Sequence, residues 1–450
     1  MADQLFGTDG IRGRVNEGAI RPAMFVRFGE ALAHVLLSEK VAPTVLIGRD
    51  TRKSGEMIQS AIEAGLLNAG ANVVRGGVLP TPAVGWLTKH SGASAGLMIT
   101  ASHNPYPDNG VKAFGPDGFK LSGAQQDQIE AIIQDQSVEC NVDVARMGSV
   151  FERYDYAEEY QKFASGIVSD GVRFDGMSVC VDAANGAGAF IARDVFEKLG
   201  ANVFMLGCEP DGVNINLKCG ALHPEKLAQA VLDQKSHLGI GFDGDADRIL
   251  LVDETGQVVD GDQIMGAIGL DYHEQGLLKG NTVVATIMSN LGLEAALRSA
   301  GITLDRTKVG DRYVVERMRE GGFVVGGEQS GHVVLAEHVT TGDAIISALK
   351  IMEIMARKSK PASEVLSVFE PVPQILKNVR FKSEDPLETE QVKDAINSAK
   401  DQLSTNGRVV VRKSGTEPVI RVMAEAYAKP DAEDAVDKII QAIEQTDEML

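Results

Sequence analysis

One stretch of the chain places three carboxylates at alternate positions between two apolar runs: Gly239-Ile-Gly-Phe-Asp-Gly-Asp-Ala-Asp-Arg-Ile-Leu-Leu-Val-Asp253. In an extended loop, side chains two residues apart point the same way, so Asp243, Asp245 and Asp247 can converge. Three like charges repel unless a cation neutralises them, and oxygen ligands of this kind suit Mg²⁺. Because α/β proteins bind ligands at strand ends, the stretch predicts a magnesium loop at the edge of a sheet.

Other acidic motifs begin in a similar way. A calcium EF-hand needs Gly at its sixth position, where this chain has Arg248, and the Ile-Leu-Leu-Val run that follows predicts a strand instead of a liganding loop. A phosphatase of the haloacid-dehalogenase type would use Asp243 as nucleophile, and that class expects Thr or Val where Asp247 stands. The phosphatase stays an alternative, which release of free phosphate would support. A solvated acidic turn is disfavoured because apolar strands flank the motif on both sides.

Three segments repeat the order strand, polar turn, helix, Gly and strand; they begin at Thr44, Ser178 and Thr282. Their short β-branched runs are typical of buried parallel strands, so the repeat predicts three related α/β domains. After a linker at Pro371-Val-Pro373, two strands and two helices predict a smaller domain. We expect three α/β domains with mixed sheets and a C-terminal α+β domain around a central active-site cleft. The expected domain boundaries are 1–154, 155–255, 256–370 and 371–450.

Composition limits the partners. The 450 residues carry a net charge of -19, which repels nucleic acid and anionic lipid. The N-terminus has no signal-peptide pattern, no apolar run reaches the length of a membrane span, and the four cysteines form no Cys-x-x-Cys pair. We therefore expect a cytoplasmic protein without nucleic-acid or membrane partners. If such an acidic protein binds a phosphorylated substrate, its arginines must be concentrated in the site.

A serine stands in a second strand-end loop, Ile99-Thr-Ala-Ser-His-Asn-Pro-Tyr-Pro-Asp-Asn-Gly-Val-Lys112. Ser102 follows an apolar strand and precedes an Asn-Pro turn, which presents its hydroxyl. No Gly-x-Ser-x-Gly elbow is present, so acyl transfer is disfavoured. A serine beside a magnesium site suits phosphoryl chemistry, because the metal offsets the charge of a phosphoserine. Taken alone, the stretch is equally compatible with a structural turn.

Two more loops carry polar groups beside glycines. Arg412-Lys-Ser-Gly-Thr-Glu-Pro-Val-Ile-Arg421 offers N–H, hydroxyl and guanidinium donors, which predict a phosphate cradle as readily as a hairpin with a polar tip. In Gly326-Gly-Glu-Gln-Ser-Gly-His332, Glu328 and Ser330 can bind hydroxyls, although a Gly-rich structural turn fits too. No Walker-type loop occurs in the sequence, so a nucleotide triphosphatase is disfavoured.

With the opening Phe6-Gly-Thr-Asp-Gly-Ile-Arg-Gly13, these four stretches resemble the α-D-phosphohexomutase superfamily, in the family's order. The resemblance implies four domains that each contribute one loop, a phosphoserine enzyme and one Mg²⁺ per site. The candidate catalytic residues that the resemblance implies are Ser102, Arg12, Lys112 and His332. The candidate metal ligands that it implies are Ser102, Asp243, Asp245 and Asp247. The candidate substrate-binding residues that it implies are His103, Arg248, Glu328, Ser330, Arg412, Ser414, Gly415, Thr416 and Arg421.

Within the superfamily, Ala285-Thr-Ile-Met-Ser-Asn290 and Gly327–His332 are most similar to members that act on glucosamine phosphates. Many members acting on glucose or mannose phosphates carry a basic residue near Met288 and a His where Asp311 stands. The resemblance implies interconversion of glucosamine 6-phosphate and glucosamine 1-phosphate, with glucosamine 1,6-bisphosphate as intermediate and activator, toward UDP-N-acetylglucosamine and the cell wall. It also implies a homodimer through the first domain. Action on glucose or mannose phosphates, or a sugar-phosphate sensor without turnover, remain alternatives.

Overall fold

A computed structural model describes residues 5–7, 9–37, 42–381, 386–413 and 419–449 of the chain. Two compact units make up the chain: Met1–Thr286 with Leu304–Ser367, and Ile287–Thr303 with Val368–Leu450. Among the helices in these described ranges, none combines the length and the apolar character that crossing a membrane requires.

The first sheet has six strands, and helices accompany its parallel part. The strands are β1 (Ile11–Arg14), β2 (Thr44–Arg49), β3 (Asn72–Val78), β4 (Ala95–Ile99), β5 (Asp108–Phe114) and β6 (Val150–Glu152). The helices are α1 (Pro22–Leu36), α2 (Gly55–Asn68), α3 (Thr81–Ser91) and α4 (Gly123–Gln134). The spatial order is β1-β5-β4-β2-β3-β6, with β2, β3, β4 and β6 parallel and β1 and β5 antiparallel to their neighbours. Every residue of β4 is buried, as expected for a parallel strand covered on both faces.

The second and third sheets are also mixed. The second consists of β7 (Ser178–Asp182), β8 (Asn202–Leu206), β9 (Leu238–Phe242), β10 (Ile249–Asp253) and β11 (Val258–Val259), with α5 (Tyr156–Ser165), α6 (Ala192–Lys198) and α7 (Glu225–Gln234). The third consists of β12 (Thr282–Thr286), β13 (Thr303–Thr307), β14 (Val325–Gly327) and β15 (Val333–Leu335), with α8 (Gly261–Glu274), α9 (Leu291–Ser299), α10 (Asp311–Gly321), α11 (Ala344–Lys358) and α12 (Ala362–Val365). Their orders are β11-β10-β9-β7-β8 and β13-β12-β14-β15.

The C-terminal part has a smaller, antiparallel sheet. It contains β16 (Gln374–Arg380), β17 (Gly407–Lys413) and β18 (Val419–Ala426), in the order β16-β18-β17, with α13 (Glu390–Leu403) and α14 (Lys429–Met449). Ile420, Val422 and Ala424 are fully buried in one cluster with Val436 and Ile439 of α14. The two strands and two helices predicted for this part of the sequence are confirmed, and a third strand, β16, joins them.

The three α/β sheets share one strand order: β5-β4-β2-β3, β10-β9-β7-β8 and β15-β14-β12-β13. In each, the strand pair named first is an antiparallel hairpin. The hairpin loops carry Ser102 after β4, the three aspartates after β9, and Glu328–His332 after β14. The predicted repeat is thus confirmed, and it places the three chemically marked loops at one equivalent position in three related domains.

Candidate active site

Ser102 meets the acidic loop directly. Its Oγ donates a hydrogen bond of 2.6 Å to Oδ2 of Asp243, and the side chain is buried. The serine backbone has φ 50, the left-handed region that residues with a Cβ seldom adopt. This conformation and a 2.8 Å bond from the Ser102 N–H to Thr100 Oγ1 fix the direction of the hydroxyl.

Asp243, Asp245 and Asp247 form a buried cluster that could hold a metal ion. One ligand oxygen from each lies within 4.8 Å of the others. Burial, reinforced by the charges of Asp247 and Asp245, raises the pKa of Asp243 well above its usual range. Oδ1 of Asp245 and Oδ1 of Asp247 are buried without a hydrogen-bond donor among the described residues. Such oxygens are costly to bury unpaired, and a hard divalent cation such as Mg²⁺ fits them.

Positive charge is concentrated around this cluster. Lys112 Nζ lies 2.8 Å from Asp245 Oδ2 and 2.6 Å from Asp247 Oδ2. Burial would lower the pKa of Lys112, but the attraction of these carboxylates outweighs burial and raises it above its usual value. Arg12 pairs with Asp9, and Nε of Arg12 and of Arg248 are both buried without an acceptor in the described part of the chain. These donors suit phosphate oxygens, as expected for an acidic protein with a phosphorylated ligand.

His332 accepts a hydrogen bond through one ring nitrogen and faces a carboxylate with the other. Its Nε2 accepts a 3.0 Å hydrogen bond from the Gly342 N–H, so the ring proton belongs on Nδ1. Nδ1 lies 3.7 Å from Oδ2 of Asp247, and the ring is buried. This geometry favours an orienting role toward the Asp247 carboxylate over a free base facing substrate.

His103 and the third-domain loop flank the serine and the acidic loop. His103 Nδ1 lies 3.4 Å from Ser102 Oγ, and burial together with Arg248 and Arg12 lowers the pKa of this half-buried ring to about 4. Glu328 Oε1 accepts a 3.1 Å bond from the Gly310 N–H, which fixes its carboxylate, and Ser330 is exposed. Glu328 is also close enough to Arg248 to raise the pKa of that arginine, along with Asp247 and Asp243, although burial opposes the shift.

The C-terminal sheet brings two arginines face to face. Arg412 on β17 and Arg421 on β18 are direct cross-strand partners. Like charges at such positions destabilise a sheet, and a bound anion would relieve the repulsion. Nε of Arg421 is buried and finds no acceptor among the residues described. The predicted cradle residues Ser414, Gly415 and Thr416 lie outside the described residues.

Sequence analysis missed several members of the site. Thr81, at the start of α3, donates from Oγ1 to Asp245 Oδ2 at 2.5 Å and from its N–H to Asp245 O at 2.9 Å. Lys120 contacts both Asp9 and Asp311. Asp9 could have been found, since it belongs to the same short N-terminal motif as Arg12. Thr81 and Lys120 lie outside every motif, so no pattern marked them.

Comparison with known proteins defines the class. Four domain descriptions of phosphoglucomutase/phosphomannomutase match in order: alpha/beta/alpha domain I over residues 3–139, domain II over 155–256, domain III over 260–372 and the C-terminal domain over 376–442. The chain belongs to this family. The superfamily resemblance, the fold class and the enzyme class predicted from the motifs are thereby confirmed.

Relatives that match nearly the whole chain are phosphoglucosamine mutases. A phosphoglucosamine mutase of Novosphingobium aromaticivorans is 47% identical over 444 residues, which cover 98% of this chain and 99% of that protein. A phosphoglucosamine mutase of Paracoccus denitrificans is 47% identical over 446 residues, 99% of each chain. The predicted similarity to the members that act on glucosamine phosphates is confirmed by these relatives.

Solved structures share the fold. A phosphoglucomutase/phosphomannomutase family protein from Burkholderia thailandensis superposes with a TM-score of 0.82 at 24% identity, covering 99% of this chain and 98% of that one. The N-acetylphosphoglucosamine mutase of Aspergillus fumigatus, solved in complex with GlcNAc-6P and magnesium, gives a TM-score of 0.66 at 20% identity, covering 98% of this chain and 96% of that one. At this identity the likeness concerns the fold alone.

Proposed function

We propose that this protein interconverts glucosamine 6-phosphate and glucosamine 1-phosphate, with Ser102 as the covalent phosphate carrier. The observation that carries the proposal is the 2.6 Å hydrogen bond from Ser102 Oγ to Asp243, inside the cluster of three buried carboxylates. A hydroxyl beside such a cluster is arranged for phosphoryl transfer. The identity of 47% to phosphoglucosamine mutases over nearly the whole chain supports the choice of an amino sugar.

In the first step, the phosphoryl group leaves the Ser102 oxygen as its bond to O1 of glucosamine 6-phosphate forms. The O1 hydroxyl loses its proton and the Ser102 oxygen regains one, so Ser102 ends as the hydroxyl that donates to Asp243. Asp243, Asp245, Asp247 and the serine phosphate would hold Mg²⁺, which supplies electrostatic stabilisation of the phosphoryl oxygens. Arg12 and Arg248 have buried donors beside this place and would bind the same oxygens. Lys112, held protonated by its carboxylates, would add charge, and His332 would orient Asp247.

In the second step, the 1,6-bisphosphate turns end for end, and its 6-phosphate returns to Ser102. Arg412 and Arg421, with the predicted 414–416 loop, would bind the phosphate that does not react. Glu328 and Ser330 would bind sugar hydroxyls in both orientations. Glucosamine 1,6-bisphosphate would accordingly be the intermediate, and it would serve as activator by phosphorylating an unphosphorylated Ser102. We also propose that the protein pairs through its first domain and that it is cytoplasmic. The proposed domain boundaries are 1–154, 155–255, 256–370 and 371–450.

Steady-state rates on the 6-phosphates of glucosamine, glucose and mannose test the proposal. We expect the highest kcat/KM with glucosamine 6-phosphate, because the relatives that share 47% identity are phosphoglucosamine mutases. Intact-mass measurement should find one phosphate on part of the wild-type protein and none on Ser102→Ala, which should be inactive. Mutase turnover by Ser102→Ala would refute the carrier role. Release of free phosphate with Asp243 modified would support the phosphatase, and absence of any turnover would support the sensor.

A further inference from the structure

A buried arginine lies directly beneath the serine loop. Arg52, in the turn after β2, is 1% exposed and places its guanidinium inside the loop that runs from Ser102 to Asp108. Nη2 donates to the carbonyl oxygens of Ser102 at 2.9 Å and Asn104 at 2.7 Å. Nη1 donates to those of Pro105 at 2.7 Å and Asp108 at 3.1 Å. Four carbonyls of one loop therefore share a single side chain.

The guanidinium is itself fixed by a carboxylate. Its Nε donates to Asp50 Oδ2 at 2.9 Å, so all five N–H donors of Arg52 are used. Asp50 Oδ2 also accepts from Thr100 Oγ1 at 2.8 Å, and the Thr100 oxygen in turn accepts the Ser102 N–H at 2.8 Å. Asp50 and Arg52 thus hold Ser102 by both ends of its backbone, the N–H through Thr100 and the carbonyl directly.

The second domain holds the same carbonyl from the other side. Nδ2 of Asn216 donates to Ser102 O at 2.8 Å and to Asn104 O at 3.1 Å. With two donors on it, the Ser102 carbonyl has both lone pairs engaged. A left-handed backbone is strained at a residue with a Cβ and persists where its surroundings determine it. Arg52 and Asn216 supply those surroundings at Ser102.

We propose that Arg52 is a positioning residue for phosphoryl transfer: its guanidinium holds the Ser102–Asp108 loop so that Ser102 Oγ meets the acidic loop. The inference rests on the proposed function, because it concerns the serine that carries the phosphate. All five N–H donors of Arg52 are used by Asp50 and by the four loop carbonyls, so Arg52 acts on the Ser102 hydroxyl through the backbone of the loop. No sequence motif of the site includes it.

Lysine cannot replace this arginine. A lysine ammonium keeps the charge opposite Asp50 but has three donors on one atom, whereas Arg52 spreads five donors over a planar fork. If a lysine ammonium keeps one donor on Asp50, it can serve at most two of the four loop carbonyls that Arg52 serves, and the loop would relax in Arg52→Lys. A misplacement of about 1 Å at a reacting group costs on the order of 100-fold in rate. We expect kcat of Arg52→Lys to fall by about that factor.

A matched control exists in the same domain. Nη2 of Arg27 donates to the carbonyls of Ile132, Asp135 and Val138 at 2.8, 2.9 and 3.0 Å, and Nη1 pairs with Glu30 at 3.2 Å. Arg27 therefore performs the same clamping task on a loop that carries no site residue. Arg27→Lys should lower the melting temperature while leaving kcat within about 2-fold of wild type.

The experiment measures kcat and KM for glucosamine 6-phosphate, and melting temperature, in wild type, Arg52→Lys, Arg27→Lys and Asn216→Asp. We expect a kcat loss in Arg52→Lys with KM changed less than about 3-fold, because Glu328 and Ser330, which would bind the sugar hydroxyls, lie in another loop. Asn216→Asp keeps shape and backbone preference but loses the donor to Ser102 O, and we expect about a 10-fold kcat loss. This variant decides the matter if Arg52→Lys does not fold.

Equal kcat in wild type and Arg52→Lys would overturn the positioning role and leave the proposed function intact. So would a kcat loss of the same size in Arg27→Lys, since clamping any loop would then suffice. If Arg52→Lys is insoluble, wild-type kcat in Asn216→Asp overturns the inference. An inactive wild type would instead refute the proposed function, and this inference with it.

Discussion

Gly244 lies between the first two aspartates of the acidic loop. Adding one methyl group there, in Gly244→Ala, should push the acidic loop away from Ser102. A Cβ on Gly244 would lie 2.7 Å from the carbonyl oxygen of Ser102 and 2.9 Å from Asn216 Nδ2. The first distance is about 0.7 Å short of the 3.4 Å at which ordinary contact begins. The glycine has no positive φ, so Gly244→Ala tests contact and not backbone strain.

The Ser102 carbonyl cannot retreat, because Arg52 and Asn216 hold it at 2.9 and 2.8 Å. The displacement must therefore move the acidic loop away from the serine and lengthen the 2.6 Å bond to Asp243. We expect kcat of Gly244→Ala to fall by roughly 10- to 100-fold, as small misplacements of reacting groups do. Overpacking should also lower the free energy of unfolding by about 1–3 kcal/mol.

The assay compares kcat at saturating glucosamine 6-phosphate, and urea unfolding, in Gly244→Ala and Gly241→Ala. Gly241 lies in β9 of the same domain, and a Cβ there meets the Leu227 side chain at 3.3 Å, which can yield. The control should keep wild-type kcat. A Gly244→Ala enzyme with kcat within about 2-fold of wild type would refute the idea that the contact between the two loops sets the rate.

Two further predictions concern ionisation and metal. Burial raises the pKa of Asp343 to about 6, although the carboxylate accepts bonds from Tyr160 Oη and the Ile346 N–H. A raised folded-state pKa gives stability below about pH 4 that is lost as the pH rises through 6. Relative to wild type, Asp343→Asn should therefore raise the free energy of unfolding by about 3 kcal/mol at pH 8 and by almost nothing at pH 4. Equal effects of the substitution in urea unfolding at the two pH values would refute this. Millimolar Mg²⁺ should raise the melting temperature of wild type over that in EDTA, and by less in Asp243→Asn, which lacks one charged ligand; equal shifts would contradict the assignment.

The fold could be predicted where local pattern decides it. β12 begins at Thr282, where the third repeat was predicted to begin, because its β-branched apolar run starts there. Local pattern also predicted β17 and β18, but not β16, which pairs with β18. The meeting of Ser102 with Asp243, 141 residues apart, was expected from the family resemblance, which makes both residues metal ligands.

The supporting residues could not be predicted in the same way. Arg52 precedes Ser102 by 50 residues, and Thr81 precedes Asp245 by 164. Their proximity depends on which strands are neighbours in the sheet and on how two domains pack. The spacing of residues along the sequence predicts neither the strand order nor the domain packing. Arg52 lies beneath Ser102 because β2 and β4 are adjacent parallel strands whose carboxyl ends meet. The sequence marked the reacting groups, whereas the groups that hold them follow from topology.

The same topology explains how a repeated domain could produce one site. The loops with Ser102 and with the aspartates follow β4 and β9, and each is held by the turn after the adjacent parallel strand: Arg52 follows β2, and the Ala187 N–H, after β7, donates to Gly244 O at 2.9 Å. In the third domain, the turn after β12 is bound by Arg408 of β17, through the carbonyls of Ile287 and Ser289. A nucleophile and its metal ligands thus lie on two copies of one loop, and each loop is bonded by the turn after the adjacent parallel strand.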